Sequence, residues 1–589
     1  MSFDRLGRFT VRRRWWIVAA WAVLILVALP FAPQAPGALS AGGFILDDLE
    51  SARAKQVLQA ELGLEPSAFV LVYTSQALTA GTPAWLGAVS QATKDVANAP
   101  HVTRILSHVI APRQVSADGH TAYDIVFLDL APDDSPDAIP PVAAAIRDVP
   151  GLTVRIGGGP AFYGDVQAVT ERDLQRSELI SFPLAALALL LVFGSLIAAG
   201  IPLAVGGAAV LVALAGIFVV ASLVPMSIFV LNLATLLGLG LGVDYSLLMT
   251  SRFREELAHR EGPDRVAEAV RITVATAGRA VFFSGLTVLL GLLGLVLFEF
   301  MILRSVGIAG AIVVGLAVAS ALTLLPAILA IVGTRIDALA VRGVTVEPGV
   351  DGPWARLARR VMRHPVAVLV PTLSLLLLLG VPFLQVRFNA PDATILPSSV
   401  PSRETYDILA REFGEGDFAP IVLAVRTTGD ATAPENVAKL YDYSRRLAAD
   451  PRVSRVSSLV DVDPRLTLDQ YRLLYGSESG PPDRFVAASL AATTKGDLTA
   501  FTVTTPYGPN RDEGRALVRE LRDPVSPLAP PAGITVQVGG GAADVDDVVS
   551  RVWSDFPRTA AFIIVSTFLV LFVLLRSVVL PVKALVMNT

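Results

Sequence analysis

Long runs of apolar residues divide the chain and indicate its class. Each run is about 20 residues long, the length of α-helix that crosses the hydrocarbon core of a bilayer. Eight such runs occur, near residues 15–32, 179–199, 201–224, 228–250, 280–299, 305–333, 364–385 and 558–577. A ninth run is expected to begin after Pro581. The pattern predicts a polytopic α-helical membrane protein.

Two long polar segments, residues 33–177 and 386–556, have a different pattern. Strand-like stretches alternate there with helix-like ones, which is typical of compact α+β domains, and ferredoxin-like split βαβ units fit this order. In the first segment strands are expected at 69–73, 123–128 and 153–156, and helices near 84–97 and 139–148. In the second, strands are expected at 421–425, 501–504 and 535–538, and helices near 434–449 and 511–522.

Clusters of arginine indicate the orientation, because short cytoplasmic loops are rich in Arg and Lys. The clusters precede the first span, follow the fourth, and lie between the sixth and seventh, all on one side if the spans alternate. That side is the cytoplasm, so both polar segments are expected outside a bacterial cell membrane. The expected divisions are the cytoplasmic N-terminus with the first span (1–32), a first outer domain (33–177), spans two to six with the fourth at about 228–250 (178–333), a cytoplasmic linker (334–363), the seventh span (364–385), a second outer domain (386–556), and the eighth span with the start of the ninth (557–589).

The second half of the chain repeats the first. Residues 51–63 resemble 402–414, displaced by 351 positions, and residues 153–159 resemble 535–541, displaced by 382. Matching order and direction predict a duplicated six-helix unit, a parallel repeat related by an axis along the membrane normal. The fourth span should then recur near residue 625, so the second copy is expected to be incomplete here. A fragment of a protein with about twelve spans is favoured over a naturally shortened chain.

Composition narrows the function classes. Of the 589 residues, 53% are hydrophobic and 17% are charged, the mean hydropathy is +0.59, and there is no cysteine. Disulfides, Cys-ligated metals and thiol catalysis are therefore excluded, and the five histidines lack metal-ligand spacing. The glycine runs at 157–159 and 539–541 lack the Gly-Lys-Ser/Thr of a phosphate-binding loop and are expected to be connectors. We expect no enzyme activity, no cofactor and no nucleic-acid partner.

Asp244 is the candidate functional residue, because it is a lone acid within an apolar span. Insertion scales assign roughly 2.5–3.5 kcal/mol to an Asp at the centre of a membrane helix, so such an acid persists when it pairs, lines a water-filled path or carries protons. Desolvation disfavours its charged form, and the neighbouring Tyr245 adds a hydroxyl that can donate or accept a hydrogen bond. The competing interpretation is a structural Asp that reaches the membrane surface or satisfies a neighbouring helix.

Three glycines, Gly238, Gly240 and Gly242, lead up to this acid. Small residues let helix backbones approach closely, so we expect the three to pack against a neighbouring helix near the proposed proton site. Beyond the cytoplasmic end of the same span, residues 261–278 are expected to form a short amphipathic helix at the membrane surface.

Taken together, these features resemble the resistance–nodulation–division (RND) superfamily. The pattern Gly-x-Gly-x-Asp-Tyr at 240–245 and the sixth-span stretch 303–327 are most similar to its mycobacterial membrane protein large (MMPL) branch. The resemblance implies export of lipids or other hydrophobic compounds driven by the proton-motive force. It also implies that Asp244 and Tyr245 form half of a proton relay, whose other half lies in the fourth helix of the second copy.

The resemblance also implies partners. These are a lipid or other hydrophobic substrate, protons and membrane lipids, and a homo-oligomer is compatible with the sequence. Two alternatives stay open. One is a protein-translocation auxiliary of the same superfamily, although such a protein would lack the fused second half. The other is a membrane receptor or scaffold in which Asp244 is only structural.

Overall fold

The computed structural model describes residues 3–40, 42–43, 46–341, 353–386, 388–476 and 483–588. Its α-helices are α1 (Phe3–Arg12), α2 (Arg14–Ala28), α3 (Glu50–Leu62), α4 (Pro83–Ala92), α5 (Ile139–Ala145), α6 (Gly159–Phe193), α7 (Leu196–Ala221), α8 (Val230–Ala258), α9 (Arg265–Gly294), α10 (Met301–Leu322), α11 (Leu324–Val332), α12 (Pro353–Arg363), α13 (Pro365–Gly380), α14 (Pro401–Glu412), α15 (Pro434–Ala448), α16 (Leu468–Tyr475), α17 (Arg484–Thr493), α18 (Asp512–Arg522), α19 (Gly541–Leu575) and α20 (Val579–Asn588). Its strands are β1 (Ser67–Thr74), β2 (Val102–Leu106), β3 (Thr121–Leu128), β4 (Thr153–Gly157), β5 (Ile421–Thr427), β6 (Arg455–Ser457), β7 (Thr494–Lys495), β8 (Leu498–Thr504) and β9 (Ile534–Gly539).

Eight helical segments among the described residues are long and apolar enough to cross a membrane. Each overlaps one of the apolar runs in the sequence, so the pattern located every one of them. The segments are Arg14–Gln34, Gly159–Phe193, Leu196–Ala221, Val230–Ala258, Arg265–Leu297, Met301–Asp337, Pro365–Gln385 and Gly541–Leu575. The chain is therefore a multi-pass membrane protein.

The second span is part of a much longer helix, which corrects two expected boundaries. α6 is unbroken from 159 to 193, so it crosses the expected domain boundary at 177 and ends before the expected end of the span at 199. It ends because Gly194 adopts a φ of 64°, a left-handed conformation that glycine tolerates. Ser195 then caps the start of α7. α19 likewise runs without interruption across the expected boundary at 556.

The expected amphipathic helix at 261–278 is not a separate element. From residue 265 onward these residues form the first half of α9, which continues as one helix into the membrane. Gly278 lies within that helix and packs against α10, since a Cβ added there would lie 3.1 Å from the Leu322 side chain. The helix that packs on the N-terminal half of α9 is α1, where Gly7 lies against the backbone of Arg271.

Glycine contacts hold the centre of the membrane bundle together. α7, α8, α9 and α10 pack on one another there. A Cβ added to Gly307 of α10 would lie 2.8 Å from the carbonyl oxygen of Leu292 on α9, so only glycine fits. Within a bilayer, where lipid is as apolar as the side chains, such close packing is a main source of helix association. α13, in contrast, has no residue buried against the other described residues.

The first outer domain is a four-stranded antiparallel sheet in the order β2-β3-β1-β4. Val70 of the central strand β1 lies opposite Ile125 of β3 and Gly157 of β4. α4 and α5 pack on one face, where Trp85 is fully buried. The sequence pattern predicted β1, β3 and β4. It missed β2, because this short strand includes the exposed polar residues Thr103 and Arg104 and so lacks an apolar run.

The second outer domain has the same strand order, β6-β8-β5-β9, with β7 added beside β8. Val422 of β5 lies opposite Thr502 of β8 and Gly539 of β9. Displacements of 351 and 382 positions make this domain 31 residues longer than the first, since 382 − 351 = 31. Most of the extra length lies between β6 and β8, where α16, α17 and β7 have no counterpart in the first domain.

Each outer domain carries one helix from the other half of the chain. α3 lies on β9 of the second sheet, and α14 lies on β4 of the first. Two equivalent hydrogen bonds hold the exchanged helices. The Ser51 amide donates to Asp547 Oδ2 at 2.9 Å, and the Ser402 amide donates to Asp165 Oδ2 at 2.9 Å. Each carboxylate thus satisfies an amide in the first turn of a helix, where negative charge is stabilising.

Candidate functional site

Asp244 lies in the middle of α8, on a face that no other described helix covers. It is 14 residues beyond the start of α8, about 21 Å along the helix axis. The exposed residues of this face are four apart, close to one helical turn, and comprise Leu236, Gly240, Asp244 and Leu248. The carboxylate is therefore open to a group that approaches from that side.

Gly238 and Gly242 pack on the opposite side of α8. A Cβ added to Gly242 would lie 2.7 Å from the Cα of Gly206 on α7, and one added to Gly238 would lie 2.8 Å from the Val210 side chain. Gly240 does not share this role, which corrects the prediction for that residue: within the described ranges, no atom outside its own helix lies within 4 Å of a Cβ placed there. Successive helical residues turn by about 100°, so residue 240 faces roughly 200° away from its two neighbouring glycines.

The Tyr245 side chain points into the bundle, whereas that of Asp244 points out. Tyr245 is 6% exposed, and its hydroxyl lies 3.5 Å from the position of a Cβ on Gly285 of α9. This hydroxyl has no hydrogen-bond partner that meets the geometric criteria in the part of the chain described, and Ser284 of α9 is a neighbouring hydroxyl. The two residues of the predicted relay are therefore not hydrogen-bonded to each other here.

Two further hydroxyl groups beside the relay residues were not predicted. Ser246 and Thr250 are fully buried, and neither hydroxyl has a hydrogen-bond partner among the described residues. Other threonines of the bundle differ, because Thr273 and Thr323 donate to the carbonyl oxygen four residues earlier, at 2.7 and 2.5 Å. A buried unpartnered hydroxyl is costly, so a water molecule or another polar group is expected beside it. The sequence signal is two hydroxyl residues spaced by four within an apolar span.

Ion pairs fix the C-terminal end of α8. Arg252 pairs with Glu255 at 2.7 Å and also with Glu256. Arg254 pairs with Asp337 at 2.8 Å. These arginines belong to the basic cluster that the sequence places on the cytoplasmic side. Arg252 lies about 12 Å along the helix from the lone acid, so the acid is well inside the apolar segment.

The outer end of α8 is tied to the segments that lead to the outer domains. Ser40 accepts a hydrogen bond from the Ile228 amide and donates its own amide to the Met226 carbonyl, both at 2.9 Å. Phe229, immediately before α8, packs against an apolar cluster that contains residues from both halves of the chain. The buried members of this cluster are Phe162 and Val166 of α6 and Ala393, Leu396 and Val400 of the second half.

Two clefts are lined jointly by residues of the two halves of the outer region. The larger, of about 600 Å³, is lined by polar groups that include Arg155 and Arg411. The smaller, of about 480 Å³, contains Arg113, Asp417 and Arg455. Burial raises the pKa of Asp417, and the two arginines oppose that rise. Both volumes fall in the range of small-molecule sites. Across the described residues, no three His, Asp or Glu side chains are arranged to hold a metal ion.

Among the described residues, eight helical segments able to span a bilayer, two antiparallel sheets and an acid in the middle of α8 define a multi-pass membrane protein. The model of the MMPL family matches residues 47–368 and 394–587. The chain belongs to the MMPL family, a branch of the RND superfamily.

Relatives of known sequence agree with this assignment. The chain is 34% identical to the putative membrane protein SCO6666 of Streptomyces coelicolor over 439 residues, which is 73% of this chain and 61% of that protein. It is 27% identical to the trehalose monomycolate exporter MmpL3 of Mycobacterium tuberculosis over 623 residues, 99% of this chain and 62% of that protein. It is also 27% identical to the mycolic acid-containing lipids exporter MmpL11 of Mycolicibacterium smegmatis over 609 residues, 99% and 59% respectively. The chain spans about three fifths of the length of these curated relatives.

Among solved structures, the cryo-EM structure of the hedgehog release protein Disp from the water bear Hypsibius dujardini is similar. The TM-score is 0.55 at 11% sequence identity, over 97% of this chain and 83% of that one. At this identity the likeness concerns the fold alone.

Proposed function

We propose that this chain acts in proton-motive-force-driven export of lipids or other hydrophobic compounds across the cytoplasmic membrane. Asp244 is the residue that binds and releases the proton. The observation that carries the proposal is an ionisable side chain in the middle of an apolar helix, on the face left uncovered by the described helices. A charge at that depth is costly, so its presence is best explained by a function that requires it.

Protonation changes the energy of α8 within the membrane. A proton that arrives from the outer side neutralises the Asp244 carboxylate and removes the cost of keeping a charge in an apolar environment. α8 then shifts relative to the rest of the bundle, and release of the proton to the cytoplasm restores the charged state. α7 is expected to move with α8, because Gly206 and Gly242 bring the two backbones into contact.

Tyr245 is the second member of the proposed relay. Its buried hydroxyl lacks a hydrogen-bond partner among the described residues, which leaves it able to bond water or a group that enters beside α8. A hydroxyl that can both donate and accept is suited to pass a proton between a water molecule and a carboxylate. The unpartnered hydroxyls of Ser246 and Thr250 support water at this level of the bundle.

The energy supplied by one proton is sufficient for active export. One charge that crosses 100 mV yields about 2.3 kcal/mol. Because about 1.4 kcal/mol corresponds to a tenfold concentration ratio, this energy supports a substrate gradient of roughly 50-fold.

A lipid is the proposed substrate class. Two of the relatives are exporters of lipids, one of trehalose monomycolate and one of mycolic acid-containing lipids. The two clefts lined by both halves of the outer region offer polar surroundings for a headgroup, with Arg155 and Arg411 in one and Arg455 in the other. Substrate passage between the outer domains is part of the proposal.

The architecture proposed for transport is a pair of equivalent halves, each with a ferredoxin-like outer domain. The shared strand order of the two antiparallel sheets supports this proposal, as does the strand–helix–strand–strand–helix–strand sequence of the first domain. Equivalent halves that rock or shift about the membrane normal fit alternating access by a parallel repeat.

Asp244→Asn tests the proton role, because the amide keeps the shape of the carboxylate but cannot ionise. We expect proton-gradient-dependent export of a labelled lipid from energised cells to fall at least tenfold, with normal amounts of protein in the membrane. Gly240→Ala is the matched control, one turn away on the same exposed face, and should export normally. Undiminished export by Asp244→Asn refutes the relay. Retained partner binding without any flux in either protein would instead favour a receptor or scaffold.

A further inference from the structure

We propose that the outer end of α8 positions the outer domains directly, through Phe229 and Asp165, and so reports the protonation state of Asp244 to them. This inference rests on the proposed proton role of Asp244 and adds the route of transmission. Phe229 and Asp165 are positioning residues, since neither is expected to touch the proton or the lipid.

The first step of the route is a continuous helix. Phe229 precedes Asp244 by 15 residues, about 22 Å along the axis, and caps the start of α8. α8 contains no proline and continues unbroken to its cytoplasmic end. A tilt or axial shift of α8 when the acid is protonated therefore displaces Phe229 as well.

The second step is apolar contact with both halves of the chain. Phe229 packs against the apolar cluster whose buried members include Phe162 of α6, Leu396 and Val400. Val400 is the residue that precedes α14 as its N-cap. Because packed side chains are close to incompressible, a displaced Phe229 pushes on this cluster, which includes the residue that begins α14, rather than into empty space.

The third step is the cap that fixes α14 to α6. Asp165 follows Phe162 by three residues, so both lie on the same side of α6. Asp165 Oδ2 accepts from the Ser402 amide at 2.9 Å. α14 itself lies on the first sheet, where Gly157 at the end of β4 meets Thr405. The position of Phe229 is thereby coupled to the contact between α14 and the first outer domain.

The same end of α8 also reaches the second outer domain. Ser40 is hydrogen-bonded to Met226 and Ile228, immediately before α8. The chain leads from Ser40 to α3, which lies on the second sheet and is capped by Asp547. This end of α8 is therefore held to the segment that precedes α3 in the chain, and the proposal extends to the second outer domain on that ground.

A pair of introduced cysteines can measure this coupling, because the chain has no cysteine of its own. A Cβ on Gly157 lies 3.3 Å from Thr405 Cβ, near the spacing of about 3.5–4.5 Å found across disulfides. The rate of disulfide formation in Gly157→Cys with Thr405→Cys reports how closely α14 stays on the first sheet. The rate is measured in membranes containing the full chain, with Asp244 and with Asp244→Asn.

We expect Asp244→Asn to change that rate at least fivefold, the lower end of usual couplings between sites. When Phe229→Ala, or separately Asp165→Ala, is added, the rate of disulfide formation with Asp244→Asn should be close to the rate with Asp244, so that their ratio is near one. Phe229→Leu should restore most of the ratio, since it refills part of the apolar cluster. Leu223→Ala is the matched control, an exposed apolar residue just before α8 that is outside the cluster, and it should leave the ratio unchanged.

Two results would overturn the proposal. One is a fivefold ratio that persists in both Phe229→Ala and Asp165→Ala. The other is a rate of disulfide formation that Asp244→Asn leaves unchanged although it abolishes export. That result would rule out the route through Phe229 and Asp165, but it would agree with the proposed proton role of Asp244. Loss of the proton role is recognised separately, by normal export in Asp244→Asn. Cross-linking in the wild-type background and normal membrane abundance of each variant show that the proteins are folded.

Discussion

Gly206 of α7 and Gly242 of α8 are in backbone contact: a Cβ on Gly242 would lie 2.7 Å from the Cα of Gly206. Real Cβ atoms do not approach a backbone that closely, so an added methyl group must push the two helices apart. Overpacking of this kind costs about 1–3 kcal/mol. We predict that Gly242→Ala lowers the midpoint of thermal unfolding in detergent by a few degrees.

Gly240→Ala is the control for that substitution, because it adds the same methyl group two residues earlier in the same helix. No described atom outside the helix lies within 4 Å of it, and alanine favours a helix over glycine by about 1 kcal/mol. Its unfolding midpoint should be equal to or above that of the wild type. Equal losses in the two variants would show that the α7–α8 contact is not the cause.

The water expected beside the Thr250 hydroxyl predicts a loss of stability in Thr250→Val. This exchange keeps the shape of the side chain and removes a buried hydroxyl that has no partner among the described residues. Loss of the hydrogen bond to that water should destabilise the protein by about 1 kcal/mol, measured as a fall in the unfolding midpoint. Thr273→Val, which loses a 2.7 Å bond to the Ala269 carbonyl, is the comparison and should lose a similar amount. A rise in the midpoint of Thr250→Val would contradict water bound at this level of the bundle.

The exchange of helices between the outer domains predicts a specific cross-link. A Cβ on Gly539 lies 3.0 Å from the Cβ of Ala54 and 2.8 Å from the Ser51 carbonyl oxygen, so α3 must shift outward slightly to reach the spacing of about 3.5–4.5 Å found across disulfides. With that shift, Ala54→Cys with Gly539→Cys should form a disulfide under mild oxidation. The control pair is Ala54→Cys with Gly157→Cys, which would meet only if α3 lay on the first sheet. Mass spectrometry of the digested protein identifies the linked peptides. Cross-linking of the control pair in place of the first would contradict the exchange.

Burial of Tyr123 predicts an alkaline loss of stability in the outer region. Desolvation, with a smaller contribution from the charge of Asp417, raises the pKa of Tyr123 from 10.0 to about 12. Because the folded pKa is the higher one, the stabilisation is complete below pH 10 and is lost as the pH rises towards 12. At about 1.4 kcal/mol per pKa unit this amounts to roughly 2–3 kcal/mol.

Tyr123→Phe separates that contribution from those of other tyrosines. The free energy of unfolding, measured with denaturant at about pH 9 and about pH 11.5, should fall less between the two values in the variant than in the wild type. Tyr406, whose pKa burial also raises to about 12, keeps contributing in both proteins. An identical pH dependence in both proteins would contradict the assignment.

The sequence predicts which segments span the membrane more accurately than it predicts where each helix begins and ends. A run of about 20 apolar residues has few alternatives to a spanning helix, since its backbone groups must bond internally in lipid. However, hydropathy locates only the part of a helix that lies in the hydrocarbon region. It does not locate the ends of the helix. α6 therefore extends beyond its apolar part through polar residues such as Arg172 and Asp173.

Long-range packing explains most of what the sequence could not predict. Nothing local distinguishes which sheet α3 or α14 will cover, because each presents a similar face and the choice depends on Asp547 and Asp165 in distant segments. Gly240 is a different case, since residues two apart on a helix face opposite sides and the spacing alone argues against a common packing role. Ser246 could also be recognised in the sequence as a hydroxyl residue within an apolar span. The lack of a hydrogen-bond partner for its hydroxyl among the described residues could not be predicted, because it depends on how the helices pack.

Proton movement by purified protein tests the central claim most directly. The protein is reconstituted in liposomes that contain a pH-sensitive dye, and a pH gradient is imposed with and without a lipid substrate. We predict substrate-dependent proton flux in the wild type, a reduced flux in Asp244→Glu, and none in Asp244→Asn. Proton flux in Asp244→Asn equal to that of the wild type would contradict the assignment of Asp244 as the proton carrier.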